Sequence, residues 1–140
     1  MSDQITTQGS CLCGAVTLRT GSMSASVGAC HCSMCRTWGG GPLLSVDCAT
    51  DLQITGAEHI TRFQSSDWAE RGFCRQCGSH LFYHLKQNDQ YIVPVGFFEV
   101  SSGMSLDHQI FIDEKPEYYA FANVTNNLTG AEVFAKYAGD

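Results

Sequence analysis

The chain is short of charge, and above all of positive charge. Charged residues make up only 16% of 140, with 8 Lys and Arg against 14 Asp and Glu, a formal net charge of −6. Nucleic acids and anionic membranes are bound mainly through basic surface, so neither is an expected partner. No run of about 18 apolar residues is present, so no helical span of a bilayer is expected. The first eight residues hold no basic cluster and no apolar stretch, which argues against a secretory signal and for a cytoplasmic protein. Proline is scarce (3, against 14 glycines), and repeats, low-complexity tracts and charged tails are absent. With 44% hydrophobic residues the composition excludes a disordered chain. The length suits one domain, residues 1–140, large enough to bury a core.

Cysteine is what the chain has in excess. There are eight, and seven of them are clustered: Cys11 and Cys13, then Cys30, Cys32 and Cys35, then Cys74 and Cys77, with Cys48 alone. Without an export signal, such clusters point to metal or thiol chemistry rather than disulfides. A disulfide closing Cys-x-Cys would be a cramped ring. Zinc tolerates the spacing, since each sulfur need only lie about 2.3 Å from a common centre. Cys-x-Cys plus Cys-x-x-Cys supplies four thiolates, a closed structural site. Cys30, Cys32 and Cys35 supply three and leave a vacancy, the pattern of a catalytic zinc. The alternative is one ribbon-like site from Cys32, Cys35, Cys74 and Cys77. Two sites are preferred because they leave no clustered thiol over. A zinc held by three thiolates is a weak Lewis acid towards water but suits a thiol, which it would deprotonate and hold as a nucleophile.

The pattern between the clusters is of short strands and turns. Alternating or apolar runs mark residues 15–20, 26–31, 42–47, 52–54, 59–63, 81–85, 91–95 and 109–112 as strands. Asn88-Asp89 reads as a hairpin turn. Residues 33–38 suit one helical turn ended by Gly39-Gly40-Gly41-Pro42, and a second helix is expected near 130–137. The architecture expected is mainly antiparallel β with few short helices.

Three motifs together resemble a known family. They are Gly9-Ser10-Cys11-Leu12-Cys13-Gly14-Ala15-Val16, Cys30-His31-Cys32-Ser33-Met34-Cys35-Arg36, and Phe73-Cys74-Arg75-Gln76-Cys77-Gly78-Ser79-His80-Leu81-Phe82. In order and separation they resemble the glutathione-dependent formaldehyde-activating (GFA) enzymes and their CENP-V/GFA-domain relatives. Gly96-Phe97-Phe98-Glu99 and the stretch from His108 to Lys115 are weaker matches, and Tyr118-Tyr119 stands where the family often has Trp. The resemblance implies a β-tent fold of antiparallel sheets around zinc. It implies two zinc ions per chain, a structural one on Cys11, Cys13, Cys74 and Cys77 and a second, open to a thiol, on Cys30, Cys32 and Cys35. It implies a carbon–sulfur lyase that joins glutathione, or a similar small thiol, to formaldehyde or cleaves the adduct.

Other residues are read more plainly. Arg36 and Arg75 each follow a zinc cysteine, and either hold a carboxylate of the thiol or offset the anionic clusters. His31, on a strand, would point away from Cys30 and Cys32 and act from outside the ligand set or at the surface. His80 and His84 share a strand face and are expected to pack; Cys48 is expected to be a small buried hydrophobe. The competing functional reading is a non-catalytic, zinc-stabilised binding module whose second zinc is closed by His31 or Cys48. Oligomeric state is not written in the sequence.

Overall fold

The computed structural model describes residues 4–100 and 102–138; the expectation of no export signal falls partly on residues 1–3, outside them. The chain forms two compact units, visited alternately. Met1–Ala25 and Val46–Gly103 make the first; Ser26–Ser45 and Met104–Asp140 make the second.

In the first unit, β1 (Gln4–Ser10), β2 (Thr17–Ser24) and β5 (Gln53–Thr55) form an antiparallel sheet in the order β1-β2-β5. Leu18 and Thr20 point inwards and Arg19 and Gly21 outwards, the two-residue period of a half-buried strand. The buried position then moves to Met23, because the pairing slips between Ile5 and Thr7. The extra residue is a bulge that re-phases the strand.

Four further strands, β6 (Ile60–Phe63), β7 (Ala69–Cys74), β8 (His80–Leu85) and β9 (Gln90–Pro94), follow one another in an antiparallel run. Asp89, at φ +57°, turns the expected hairpin between β8 and β9. Gly72 lies beneath the Phe82 ring, where a Cβ would strike the aromatic carbons. Phe82, Leu81 and Val93 are buried. Across the sheet, Glu70 accepts bonds from Arg62 (2.7 Å) and from His84 Nδ1 (2.8 Å), and His84 stacks on Tyr91.

The second unit holds β3 (Ser26–Cys30), α1 (Ser33–Gly39), β10 (Ser105–Ile110), β11 (Asn126–Leu128) and α2 (Gly130–Ala138). Residues Leu43, Leu44 and Ser45 of β4 (Leu43–Asp47) pair antiparallel with β3. The mainly β expectation holds, with one correction to its antiparallel form: β10 runs parallel to both β3 and β11. Parallel neighbours need a long crossover rather than a hairpin, and between β3 and β10 the chain makes its second visit to the first unit. Helix α2 starts at a capping box in which Thr129 Oγ1 accepts from the Glu132 N–H and Glu132 accepts from the Thr129 N–H.

Burial alone would raise the Glu70 carboxyl, but the bonds from His84 and Arg62 outweigh it and hold it below its ordinary value. A depressed folded-state value stabilises the fold above the ordinary carboxylate range, and that contribution is lost as pH falls through the folded value. Glu70→Gln is therefore expected to lower stability at neutral pH by about 1–2 kcal/mol, with the deficit shrinking below about pH 4. Urea unfolding of both proteins across that range measures it.

Candidate metal-thiolate centres

In the first unit, two tight turns bring four sulfurs together. The turn after β1 is closed by the Cys11 N–H on the Val16 carbonyl (3.0 Å) and the Gly14 N–H on the Cys11 carbonyl (2.9 Å). The turn after β7 is closed by the Gly78 N–H on the Cys74 carbonyl (2.8 Å). Gly14 and Gly78 adopt φ of +80° and +77°, conformations that side chains disfavour. The Leu12 N–H donates to Ser79 Oγ (3.2 Å) and stitches the turns to each other. Cys13 Sγ then lies 3.7 Å from both Cys11 Sγ and Cys74 Sγ, and all four sulfurs, with Cys77, lie within 4.8 Å of one another.

That spacing is what a tetrahedral thiolate ion requires, since bonds of about 2.3 Å place sulfurs ~3.8 Å apart. The thiols also cannot ionise independently. Ser79 bonds pull Cys77 down to about 5. The Ala15 backbone pulls Cys13 down, but desolvation and the surrounding thiols Cys11, Cys74 and Cys77 push it up to about 12. A dication relieves that conflict by offsetting two of the four negative charges and drawing all four sulfurs to one centre. The donor set fits a metal ion.

In the second unit, the end of β3 and the start of α1 gather three. Cys30 closes β3, Cys32 caps the helix by accepting from the Cys35 N–H (3.3 Å), and Cys35 is buried in its first turn. Their sulfurs lie within 4.8 Å of one another, and among the described residues no fourth Cys, His, Asp or Glu donor joins them. Bonds to Cys32 and Cys35, together with burial, raise the Cys30 thiol. Glu114 accepts from the Ser33 N–H (3.0 Å), Arg36 Nε donates to the His31 carbonyl (2.9 Å), and the Gly40 N–H on the Arg36 carbonyl ends the helix. Within the units the groups are thus Cys11, Cys13, Cys74 and Cys77 in the first, and Cys30, Cys32 and Cys35 in the second.

His31 is fully buried and off the strand. Its Nδ1 meets the Tyr119 hydroxyl and its Nε2 meets Gln109 Oε1, both at 2.8 Å, so neither nitrogen is turned to the sulfurs. Burial pushes its pKa down, and the cations Lys115 and Arg36 act in the same direction. Burial raises the Tyr119 phenol, with the Tyr118 phenol and Cys30 adding to it and Arg36 opposing. Cys48 is buried in the first unit, outside both groups, and burial pushes its thiol up to about 12. Arg75 is exposed at the four-sulfur turn, while Arg36 belongs to the three-sulfur group's helix. His84 packs against Glu70, Asp89 and Tyr91. His80 is half-buried, and burial and Arg71 hold its pKa down. Gln109, Tyr119 and Thr125, which support His31, carry no sequence signature; the available hint was a glutamine inside an apolar strand.

Closely spaced thiols on β scaffolds, four in one unit and three in the other, make two groups that could each hold a metal ion. The sequence profile of the glutathione-dependent formaldehyde-activating enzymes matches residues 6–114. A Schizosaccharomyces pombe protein described as an uncharacterized lyase is 32% identical over 127 residues, 90% of this chain and 93% of its own length. A Halomonas elongata protein provisionally named a glutathione-dependent formaldehyde-activating enzyme is 36% identical over 84 residues, 54% of each chain. The crystal structure of a Rhodobacter sphaeroides protein superposes with a TM-score of 0.58 at 30% identity, covering 69% of this chain and 91% of the other. The chain belongs to the GFA family.

If the two sulfur groups act as separate metal sites, Cys74→Ser and Cys32→Ser each remove one cadmium from the stoichiometry read by charge-transfer absorbance. Cys48→Ala is expected to leave that stoichiometry unchanged and to cost only ~1 kcal/mol of stability.

Proposed function

We propose that residues 1–140 form one GFA-type zinc-binding domain of β-tent architecture, working as a carbon–sulfur lyase on a small thiol, glutathione or similar, and a small aldehyde such as formaldehyde. The observation that carries this reading is the contrast between the groups: four sulfurs close a tetrahedron, three leave a position for a ligand. Cys11, Cys13, Cys74 and Cys77 are assigned to a structural zinc, and Cys30, Cys32 and Cys35 to the working one. His31 and Cys48, the residues a closed module would need as fourth ligand, are engaged elsewhere, which favours the enzyme over the binding module.

A zinc ion held by Cys30, Cys32 and Cys35 would supply the positive charge that keeps a thiol deprotonated. In the reaction a bond forms from the thiol sulfur to the aldehyde carbon as the carbonyl π pair moves to oxygen. That oxygen takes up the proton the thiol gave off, and cleavage is the same path reversed. The chain's own part is to hold the three sulfurs: Cys35 from a helical turn, Cys32 from its cap and Cys30 from a strand end. Arg36, anchored by Nε to the His31 carbonyl, is the proposed contact for a carboxylate of the thiol, and Arg75 is proposed to offset the anionic sulfurs of the four-cysteine group. No described helix is long and apolar enough to cross a membrane. Thiolate centres persist in a reducing compartment, so the proposed location is the cytoplasm and the partner is a small thiol, not nucleic acid or membrane.

Zinc-loaded protein mixed with glutathione and formaldehyde is expected to form S-hydroxymethylglutathione faster than the uncatalysed mixture. Cys35→Ser is expected to return the rate to background while one zinc per chain is retained. A wild-type rate at background with several thiols and aldehydes would leave the binding module as the better reading.

A further inference from the structure

Five side chains of the second unit form an unbroken line of hydrogen bonds. The Tyr119 hydroxyl meets His31 Nδ1, His31 Nε2 meets Gln109 Oε1, and Gln109 Nε2 donates to Thr125 Oγ1, each at 2.8 Å; Thr125 Oγ1 donates to Asn127 Oδ1 at 2.6 Å. His31 and Gln109 are buried, and the segments joined are distant in sequence.

The protons on this line have one arrangement. Asn127 Oδ1 only accepts, so the Thr125 hydroxyl donates to it and receives from the Gln109 amide N–H. The Gln109 oxygen therefore faces His31, and because it too only accepts, the histidine proton sits on Nε2. The backbone is tied down at both ends: Lys115 Nζ donates to the Tyr119 carbonyl (2.5 Å) and Arg36 Nε to the His31 carbonyl (2.9 Å). His31 itself lies between Cys30 and Cys32.

We propose that this line is the positioning device of the three-cysteine centre, with Gln109 and Tyr119 acting through His31.

Two measurements on the zinc-loaded protein test it, and neither depends on turnover, so an inactive enzyme would sink the lyase reading and leave these results standing. Long-range proton–nitrogen NMR is expected to place the His31 proton on Nε2. An Nε2 without its proton would mean a reversed Gln109 amide, and would overturn the proton order. Chelator competition with cobalt-loaded protein, in which three-sulfur and four-sulfur ions absorb differently, reads each centre separately. Tyr119→Phe and Thr125→Val are expected to weaken the three-cysteine centre roughly 10- to 100-fold with the four-cysteine centre unchanged. Thr125→Ser, which keeps the hydroxyl, is expected to restore affinity. Unchanged affinity in Tyr119→Phe, or equal loss at both centres, would refute a positioning role. Should Thr125→Val fail to fold, Tyr119→Phe decides the question against wild type.

Discussion

Closely packed thiols resist ionising together, and much of the molecule is arranged around that constraint. Where Ser79 pulls Cys77 down to about 5, the surrounding sulfurs push Cys13 up to about 12. The backbone holds the sulfurs in place regardless, at separations of 3.7 Å that suit a shared ion. The gathering falls on tight turns with positive-φ glycines, and it joins segments some 61 residues apart. Were a metal ion to bridge them, its binding and the folding of the unit would be coupled.

The second unit meets the same constraint with fewer ligands and more support. Three thiols are drawn from a strand end and one helical turn, and the helix cap is itself a thiol. The segment is held by groups that take no place among the sulfurs: Glu114 on the Ser33 N–H, Arg36 on the His31 carbonyl, and the buried histidine with its chain of amide and hydroxyl partners. Where such a line is buried, at His31 and Gln109, every donor needs an acceptor, which is why its order can be read from the groups that only accept. In a GFA-family chain, that support distinguishes the three-sulfur centre from the self-contained four-sulfur one.

Legibility varied from element to element. The helical turn at residues 33–38 and its glycine stop were readable because capping and chain breaking are local. β7 was not, because Glu70 and Arg71 look like surface residues. In the fold Glu70 is paired with Arg62 and His84, and Arg71 is buried against the Tyr83 ring. β1 was missed since Gln4–Ser10 is mostly polar, with Ile5 its one large apolar residue, and its pairing with β2 leaves no apolar alternation. β10 starts four residues earlier than its apolar run suggests, its first half held by Ser26 bonded to Asp107 and by His108 lying over Gly28. The parallel pairings of β10 leave no mark in either strand's pattern, since direction is set by the path between them.

The sequence by itself determined the chemistry within each cluster. Cys-x-Cys and Cys-x-x-Cys are covalent spacings, and a few peptide units allow few ways to turn their sulfurs to one side. It also determined that the chain is mainly β, through composition and local period. Only the tertiary structure decided which clusters meet. Sheet register and core packing brought Cys11 and Cys13 to Cys74 and Cys77, left Cys30, Cys32 and Cys35 apart, and put Gln109 and Tyr119 on the two nitrogens of His31. Those contacts join residues far apart along the chain, and their energy comes from burial and complementary hydrogen bonding, quantities that exist only once the chain has folded.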